Sequence, residues 1–332
     1  MSAPTRTILV IGATGQQGGF VLAELSNLLS NPTPTETKAT PKVKVLALTR
    51  SASSPKAQAL PSKHPSLDLA VVEGDTRTPG PIFAAHPDID AVFSYTTPPD
   101  EEPQATHLVD AAAAHVREHP GQRIHFVFSS VDRGGEPESW DAPTDIPHFA
   151  QKHNVEVHLR VAADAGDGRL TYTILRPVAF MDNLNPGGSF GPVFASLWGT
   201  MPASTKLQLV SVRDIGVFGA RALLQPEHTE HRNQAVGLVG DALTLAEARA
   251  IFARASGGAA ALPQAWYVVG WAVRSLVAAK NVGAMFAWFE SHGYGVDIAV
   301  LRAREPRLQD FETWLRESSK FEFGGGGVKD GL

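Results

Sequence analysis

The stretch TILVIGATGQQGGFVLAEL, running from Thr7 to Leu25, carries the fold. An apolar run breaks at glycine, and Val21, Leu22, Leu25, Leu28 and Leu29 then recur at three- and four-residue intervals. This reads as a strand, a tight turn and a helix with one apolar stripe. Gly12, Gly15 and Gly18 form G-x-x-G-x-x-G at the joint. In that position Gly12 permits the turn, Gly15 lets backbone approach a pyrophosphate, and Gly18 lets the helix pack closely on the strand. N–H groups at the helix start, aided by the helix dipole, favour negative charge there. A purely structural turn also uses glycines; the strand before and the helix after point to a dinucleotide.

Working outward, strand-like runs recur at 44–50, 69–75, 91–97, 124–130 and 172–177. They are apolar without strict alternation, as strands covered on both faces are. Helical segments fall between several of them, His107 to His119 among them. The alternation predicts an α/β fold: a doubly wound parallel sheet of Rossmann type with right-handed crossovers. The expected division is a nucleotide-binding domain over 1–177, a smaller substrate-facing α/β region over 178–322 packed on it, and a flexible tail over 323–332. The Pro- and Thr-rich segment 31–42 reads as a surface loop, and Asp310 to Glu317 as a closing helix. The loop 132–147 follows the fifth strand at its carboxyl end, where open α/β sheets bind ligands.

Composition removes several function classes. The net charge of −5 offers no basic footprint for direct nucleic-acid binding. With no cysteine, thiolate catalysis and disulfides are excluded, and a cytoplasmic or nuclear location is expected. The N-terminus has no charged n-region leading into an apolar h-region, so no signal peptide is expected. Between Arg254 and Arg274 only 265–273 is a compact apolar run, too short to cross a bilayer, so a buried helix or pocket wall is expected. The histidines show no H-E-x-x-H or similar spacing, and no metal is predicted. G-x-S-x-G is also absent, which leaves an α/β-hydrolase unsupported.

The second strand ends LALTRS, where NAD-binding sheets usually place an acid on the ribose 2′-hydroxyl. Arg50 and Ser51 stand there instead. An arginine at that position pairs with the extra 2′-phosphate of NADP(H); a solvated strand-end arginine is the plainer alternative.

Taken together, GATGQQGG, LTR at the second strand end, Gly74-Asp75, FSSVDRGG, HFAQKHNVEVHLR and LRPVAFMDNL resemble the fungal NmrA-like family, a branch of the short-chain dehydrogenase/reductase superfamily. The resemblance runs from about residue 5 to 250 and is weaker beyond. It implies a Rossmann fold holding NADP(H), with Thr14, Gln16 and Gln17 near the phosphates and Arg50 at the 2′-phosphate. By the same resemblance Asp75 and Thr76 lie near adenine, Thr96 and Thr97 along the cofactor, and Val178 to Asn183 beside the nicotinamide; for that last segment an ordinary strand-end turn fixed by proline is the plainer alternative.

Dehydrogenases of this superfamily use Tyr-x-x-x-Lys with a serine or threonine from the fifth strand. Here the lysine is kept as Lys152, but His148 stands at the tyrosine position. Residues four apart share a helix face, with Glu156 a turn further on. Ser129 and Ser130 are the candidates at the fifth strand. Lysine holds the nicotinamide ribose and lowers the pKa of a neighbouring acid. Histidine is a competent proton donor near neutral pH, and it also serves as an ordinary helix-start residue. Lys152 has its own plainer reading, as a surface partner of Glu156. Trp266, Tyr267, Trp271 and Trp288 are candidates for a wall around an apolar or aromatic substrate, or for plain core.

Three functions fit. The first is an NADP(H)-dependent oxidoreductase acting on a small apolar or aromatic metabolite, with Lys152, His148 and Ser130 as the catalytic candidates. The second is a nucleotide-sensing regulator without turnover, working through a protein partner. The third is a non-redox lyase or isomerase on the same fold.

Overall fold

The computed structural model describes residues 5–31, 42–277 and 282–323. The expected loop at 31–42 and tail at 323–332 fall almost wholly outside them. Phe323, which opens that tail, packs edge-on to Phe252 at 5.4 Å.

Six strands form at or near the expected runs: β1 (Thr5–Ile11), β2 (Lys42–Thr49), β3 (Asp68–Glu73), β4 (Ile89–Tyr95), β5 (Ile124–Ser129) and β6 (Leu170–Pro177). With Gln234–Leu238, they make one parallel sheet ordered β3-β2-β1-β4-β5-β6 and then that late strand. The chain reverses its winding between β1 and β4, and open sheets bind ligands above such a switch.

Five of the helices are α1 (Gln16–Ser30), α2 (Glu101–Glu118), α3 (Pro147–Asp164), α4 (Phe190–Trp198) and α5 (Val212–Leu224). Both faces of the sheet are covered, which is why its strands read as continuous apolar runs. Ile8, Val10, Ala91 and Phe93 share a buried cluster with Val21, Leu22 and Leu25 of α1 and Ile215 and Ala220 of α5. Leu9, Leu46, Val92, Phe126 and Phe128 share another with Leu108 and Val109 of α2 and Val155 and Leu159 of α3.

Helix α2 begins six residues before the expected His107. Its first turn is Glu101-Glu102-Pro103: acids there complement the helix dipole, and proline is tolerated because those N–H groups lack intrahelical partners.

The sheet crosses the expected division at residue 177. Strand Gln234–Leu238 pairs with β6, and α5 returns to pack on α1. What lies apart is a three-stranded sheet of Ala179–Phe180, Leu207–Val210 and Asp241–Leu243. A second core surrounds it, holding Phe194, Trp198, Phe252, Phe286, Phe311 and Trp314. The closing helix is Phe311–Glu317, capped by the Asp310 carboxylate, which accepts from Thr313 N at 2.8 Å.

The run 265–273 is not a buried helix. Gly270 of the helix Tyr267–Ala272 lies so close to α4 that a Cβ would sit 2.5 Å from Ser196 O, whereas Trp266 is 82% exposed and Trp271 42%. The small residue faces in, and the two tryptophans are exposed. Among the described residues, no helix is long and apolar enough to cross a membrane.

Candidate functional site

The glycine-rich turn follows β1 directly. Gly12 has φ +61°, a left-handed conformation that glycine adopts without strain. Gly15 N donates to Gly12 O at 2.8 Å and closes the turn. A Cβ on Gly18 would lie 2.5 Å from Gly12 O, so close packing of α1 on the turn needs glycine there. Gly15 is the N-cap of α1; no side chain caps the helix and no acid occupies its first turn. The N–H groups at the start of α1 therefore carry no competing anion. Gln17 Oε1 is buried with no hydrogen-bond partner among the described residues.

Gly12 and Gly15 also have a neighbour that motif spacing did not disclose. A Cβ on either would lie 2.4 Å from the hydroxyl of Tyr95, the last residue of β4.

Arg50 is exposed just beyond β2 and forms no ion pair within the described residues. An acid does stand near the end of β2, on the adjacent strand. Glu73 closes β3, and its carboxylate accepts from Ala52 N at 2.8 Å, which commits it to the loop backbone. Ser51 Oγ lies 3.2 Å from Ser53 Oγ in that loop. Asp75, exposed past β3, accepts from Arg77 N at 2.9 Å; Thr76 beside it is half-buried, as is Thr14 in the turn, and Gln16 is exposed. Thr97 is held by Gln104, which accepts from Thr97 N at 3.1 Å and donates to Thr97 O at 2.6 Å.

At the carboxyl ends of β4 and β5 the expected residues meet an unexpected one. Lys152 is 5% exposed; its Nζ donates to Thr96 Oγ1 at 3.0 Å and Ser129 O at 3.2 Å, and lies 3.5 Å from Glu101 Oε2. Thr96 Oγ1 donates to the same carboxylate oxygen at 2.7 Å. The other oxygen, Oε1, is bound to His148 Nδ1. Gln151, between His148 and Lys152, accepts from Glu101 N at 2.7 Å and so holds the start of α2 against α3.

Glu101 is 1% exposed. Burial alone would raise its pKa; the His148 hydrogen bond and the Lys152 charge outweigh that and hold it at about 2. Burial acts the other way on Lys152 and brings it below the ordinary lysine value, although Glu101 opposes the shift. The arrangement is a buried anion shared by a lysine, a threonine and a histidine. It leaves His148 Nε2 without a hydrogen bond among the described residues, on a side chain 27% exposed.

Ser130 belongs to a different cluster. Its hydroxyl donates to Glu156, which Arg133 grips at 2.9 Å and Arg176 at 2.7 Å, all three nearly fully buried. The Lys152–Glu156 alternative is thus not formed, because two guanidinium groups hold Glu156 and Lys152 turns to Glu101. Ser129 Oγ is the free one: buried, without a partner among the described residues, on the residue whose carbonyl accepts from Lys152. Of the four expected aromatics, Trp288 is half-buried and edge-on at 5.4 Å to Phe149, the neighbour of His148; the side chain of Tyr267 lies outside the described residues.

An uncapped glycine-rich helix start at the switch of a seven-stranded parallel sheet defines a Rossmann-type protein. The chain belongs to the NmrA-like family, whose pattern matches residues 4–315. Similar solved structures include an NADPH-dependent quinone oxidoreductase, QOR2, from Escherichia coli in complex with NADPH. It is 19% identical with TM-score 0.62, over 92% of this chain and 96% of that one. NmrA, a negative transcriptional regulator in complex with NADP, is 17% identical with TM-score 0.63 over 99% of both chains. Triphenylmethane reductase from Citrobacter sp., complexed with NADP(H), is 18% identical with TM-score 0.63 over 92% of this chain and 97% of that one. No curated protein matches the chain in sequence.

Proposed function

We propose that this protein is an NADP(H)-dependent oxidoreductase of a small apolar or aromatic metabolite. The observation that carries the reading is the network of Lys152, Thr96, Glu101 and His148 above β4 and β5. The residues present suit the cofactor: the start of α1 is uncapped, Gln17 Oε1 lacks a partner among the described residues, and Arg50 is exposed with no acid paired to it there. Arg50 and Ser51 would hold the 2′-phosphate, the turn and α1 the pyrophosphate, and Thr96, Thr97 and Lys152 the nicotinamide ribose. Asp75 and Thr76 would border adenine.

When bound, the dinucleotide supplies or accepts the hydride. The chain's own part is orientation and proton transfer. Glu101 holds His148 by Nδ1, which leaves Nε2 to give a proton to the reduced oxygen or carbon, or take one in reverse. This is the way a buried carboxylate orients a catalytic imidazole elsewhere. Half-buried Trp288, edge-on to the Phe149 that adjoins His148, would favour an apolar or aromatic substrate.

A second reading keeps the cofactor and drops the turnover. The missing tyrosine favours it, and NmrA is both NADP-bound and a regulator. Such a role would work through protein contacts, since the chain is acidic. The test is NADPH consumption with a panel of quinones and triphenylmethane dyes, the substrate classes of two similar proteins. Oxidation that is lost in Lys152→Met supports the enzyme; tight NADPH binding with every acceptor inert supports the sensor.

A further inference from the structure

We propose that Tyr95 is a cofactor-binding residue, its hydroxyl donating a hydrogen bond to a phosphate oxygen of the dinucleotide's pyrophosphate. This rests on the reading of the site as an NADP(H) site and adds a ligand that the glycine motif does not include.

The sheet order puts Tyr95 there. It ends β4, the strand that pairs with β1 across the switch, so its side chain stands beside the turn leaving β1. The ring edge lies over Gly12, where a Cβ would be 2.7 Å from Cε1 and 2.8 Å from Cζ. The hydroxyl reaches on to Gly15, the N-cap of α1, where a Cβ would be 2.4 Å from Oη. Two of the three glycines therefore form a cradle for a phenol, and that cradle delivers the hydroxyl to the helix start at which unpaired N–H groups begin. Any anion drawn to those N–H groups arrives next to Oη.

The phenol has a proton to give. Its one hydrogen bond within the described residues runs to Gly12 O at 3.4 Å, near the outer limit for such a contact, where 2.7–2.8 Å is usual for a hydroxyl. Redirecting that proton to a phosphate oxygen exchanges a long neutral bond for a charge-assisted one. Burial raises the pKa of Tyr95 and the nearby Arg50 charge lowers it; the balance lies above the ordinary tyrosine value, so the group stays a neutral donor at physiological pH.

The pyrophosphate is common to NADPH and NADH, whereas the 2′-phosphate is not. That difference gives the test. Tyr95→Phe keeps the ring in its cradle and deletes the donor. Isothermal titration of wild type and Tyr95→Phe with NADPH, NADH and adenosine 2′-monophosphate is the experiment, alongside thermal melts without ligand. The proposal expects both dinucleotides to weaken by the same factor, about ten- to a hundredfold, the range for a hydrogen bond to a charged group. Adenosine 2′-monophosphate, which lacks the pyrophosphate, should bind unchanged, and the ligand-free melting temperature should hold. Unchanged or tighter dinucleotide binding overturns it, and tighter binding would make the phenol an obstruction. Loss confined to NADPH, or equal loss of adenosine 2′-monophosphate, also overturns it. Wild type that binds neither dinucleotide removes the NADP(H) reading itself, a result distinguishable from failure of Tyr95 alone.

Discussion

Replacing Glu101 with Gln should cost this protein far more than one hydrogen bond. The carboxylate is 1% exposed, its Oε2 lies 3.5 Å from Lys152 Nζ, and its pKa is held at about 2, so it is ionised across the working range. At that separation a unit pair is worth about 5 kcal/mol with an effective dielectric near 20. Much of that offsets the desolvation of both ions, so the pair's net value is small, but removing one partner strands the other. Breaking a buried pair in this way costs about 3–5 kcal/mol. Glu101→Gln keeps the volume and leaves Lys152, itself buried, without its counter-ion. We therefore expect about 3–5 kcal/mol of destabilisation at neutral pH, read as a lower urea midpoint with an unchanged slope. The loss should shrink as pH rises and Lys152 gives up its proton. Lys152→Met removes the other charge, and the double variant should be more stable than the two single effects predict by about 1–3 kcal/mol. A Glu101→Gln effect under about 1 kcal/mol, or strict additivity in the double variant, would refute the buried-pair reasoning.

Arg50→Ala should narrow the NADPH/NADH affinity ratio by about ten- to a hundredfold, because only the 2′-phosphate contact is lost; parallel titrations with both nucleotides check it. His148→Gln should leave NADPH affinity within about twofold while lowering turnover by roughly 10²–10⁴, the usual contribution of a positioned acid or base, measured under saturating cofactor. Asp182 gives a stability prediction: burial pushes its carboxyl from 3.8 up to about 6, so the folded state binds the proton more tightly. Its contribution is complete below 3.8 and is lost as pH rises through about 6, so Asp182→Asn should flatten the decline in stability across that window in urea titrations at stepped pH. A residual slope should persist, since Asp214 is also pushed up to about 6 by burial.

The nucleotide half of the fold was legible because its determinants are local. A strand covered on both faces must be apolar, and a turn that admits a phosphate before a helix must be glycine-rich. Lys152 and His148 were singled out by resemblance to the Tyr-x-x-x-Lys pattern, and their spacing of four puts them on one helix face. What escaped depends on strand order and chain separation. Glu101 meets His148 from 47 positions earlier, and its acid–acid–proline helix start was the one clue to the element that carries it. Tyr95 reaches Gly12 only because β4 pairs with β1 rather than with its chain neighbour β3. Ser129 and Ser130 are indistinguishable as letters, yet among the described residues the hydroxyl of one lacks a partner beside Lys152 and the other is bound to Glu156. The late strand Gln234–Leu238 follows exposed turn residues and buries only Val236 and Leu238, too weak a pattern to announce its return to the main sheet.

Hydride transfer is the claim on which the proposed function stands, and isotope transfer tests it whatever the substrate proves to be. NADPH deuterated at C4, on each face separately, would be added to the purified protein with an extract of its native cells, and mass spectrometry would follow deuterium into metabolites. Label from one face only, entering a discrete product and abolished by Lys152→Met, is the predicted result. No label in any metabolite, in an active extract with NADPH bound tightly, would contradict the oxidoreductase and leave a protein that binds the nucleotide for another purpose.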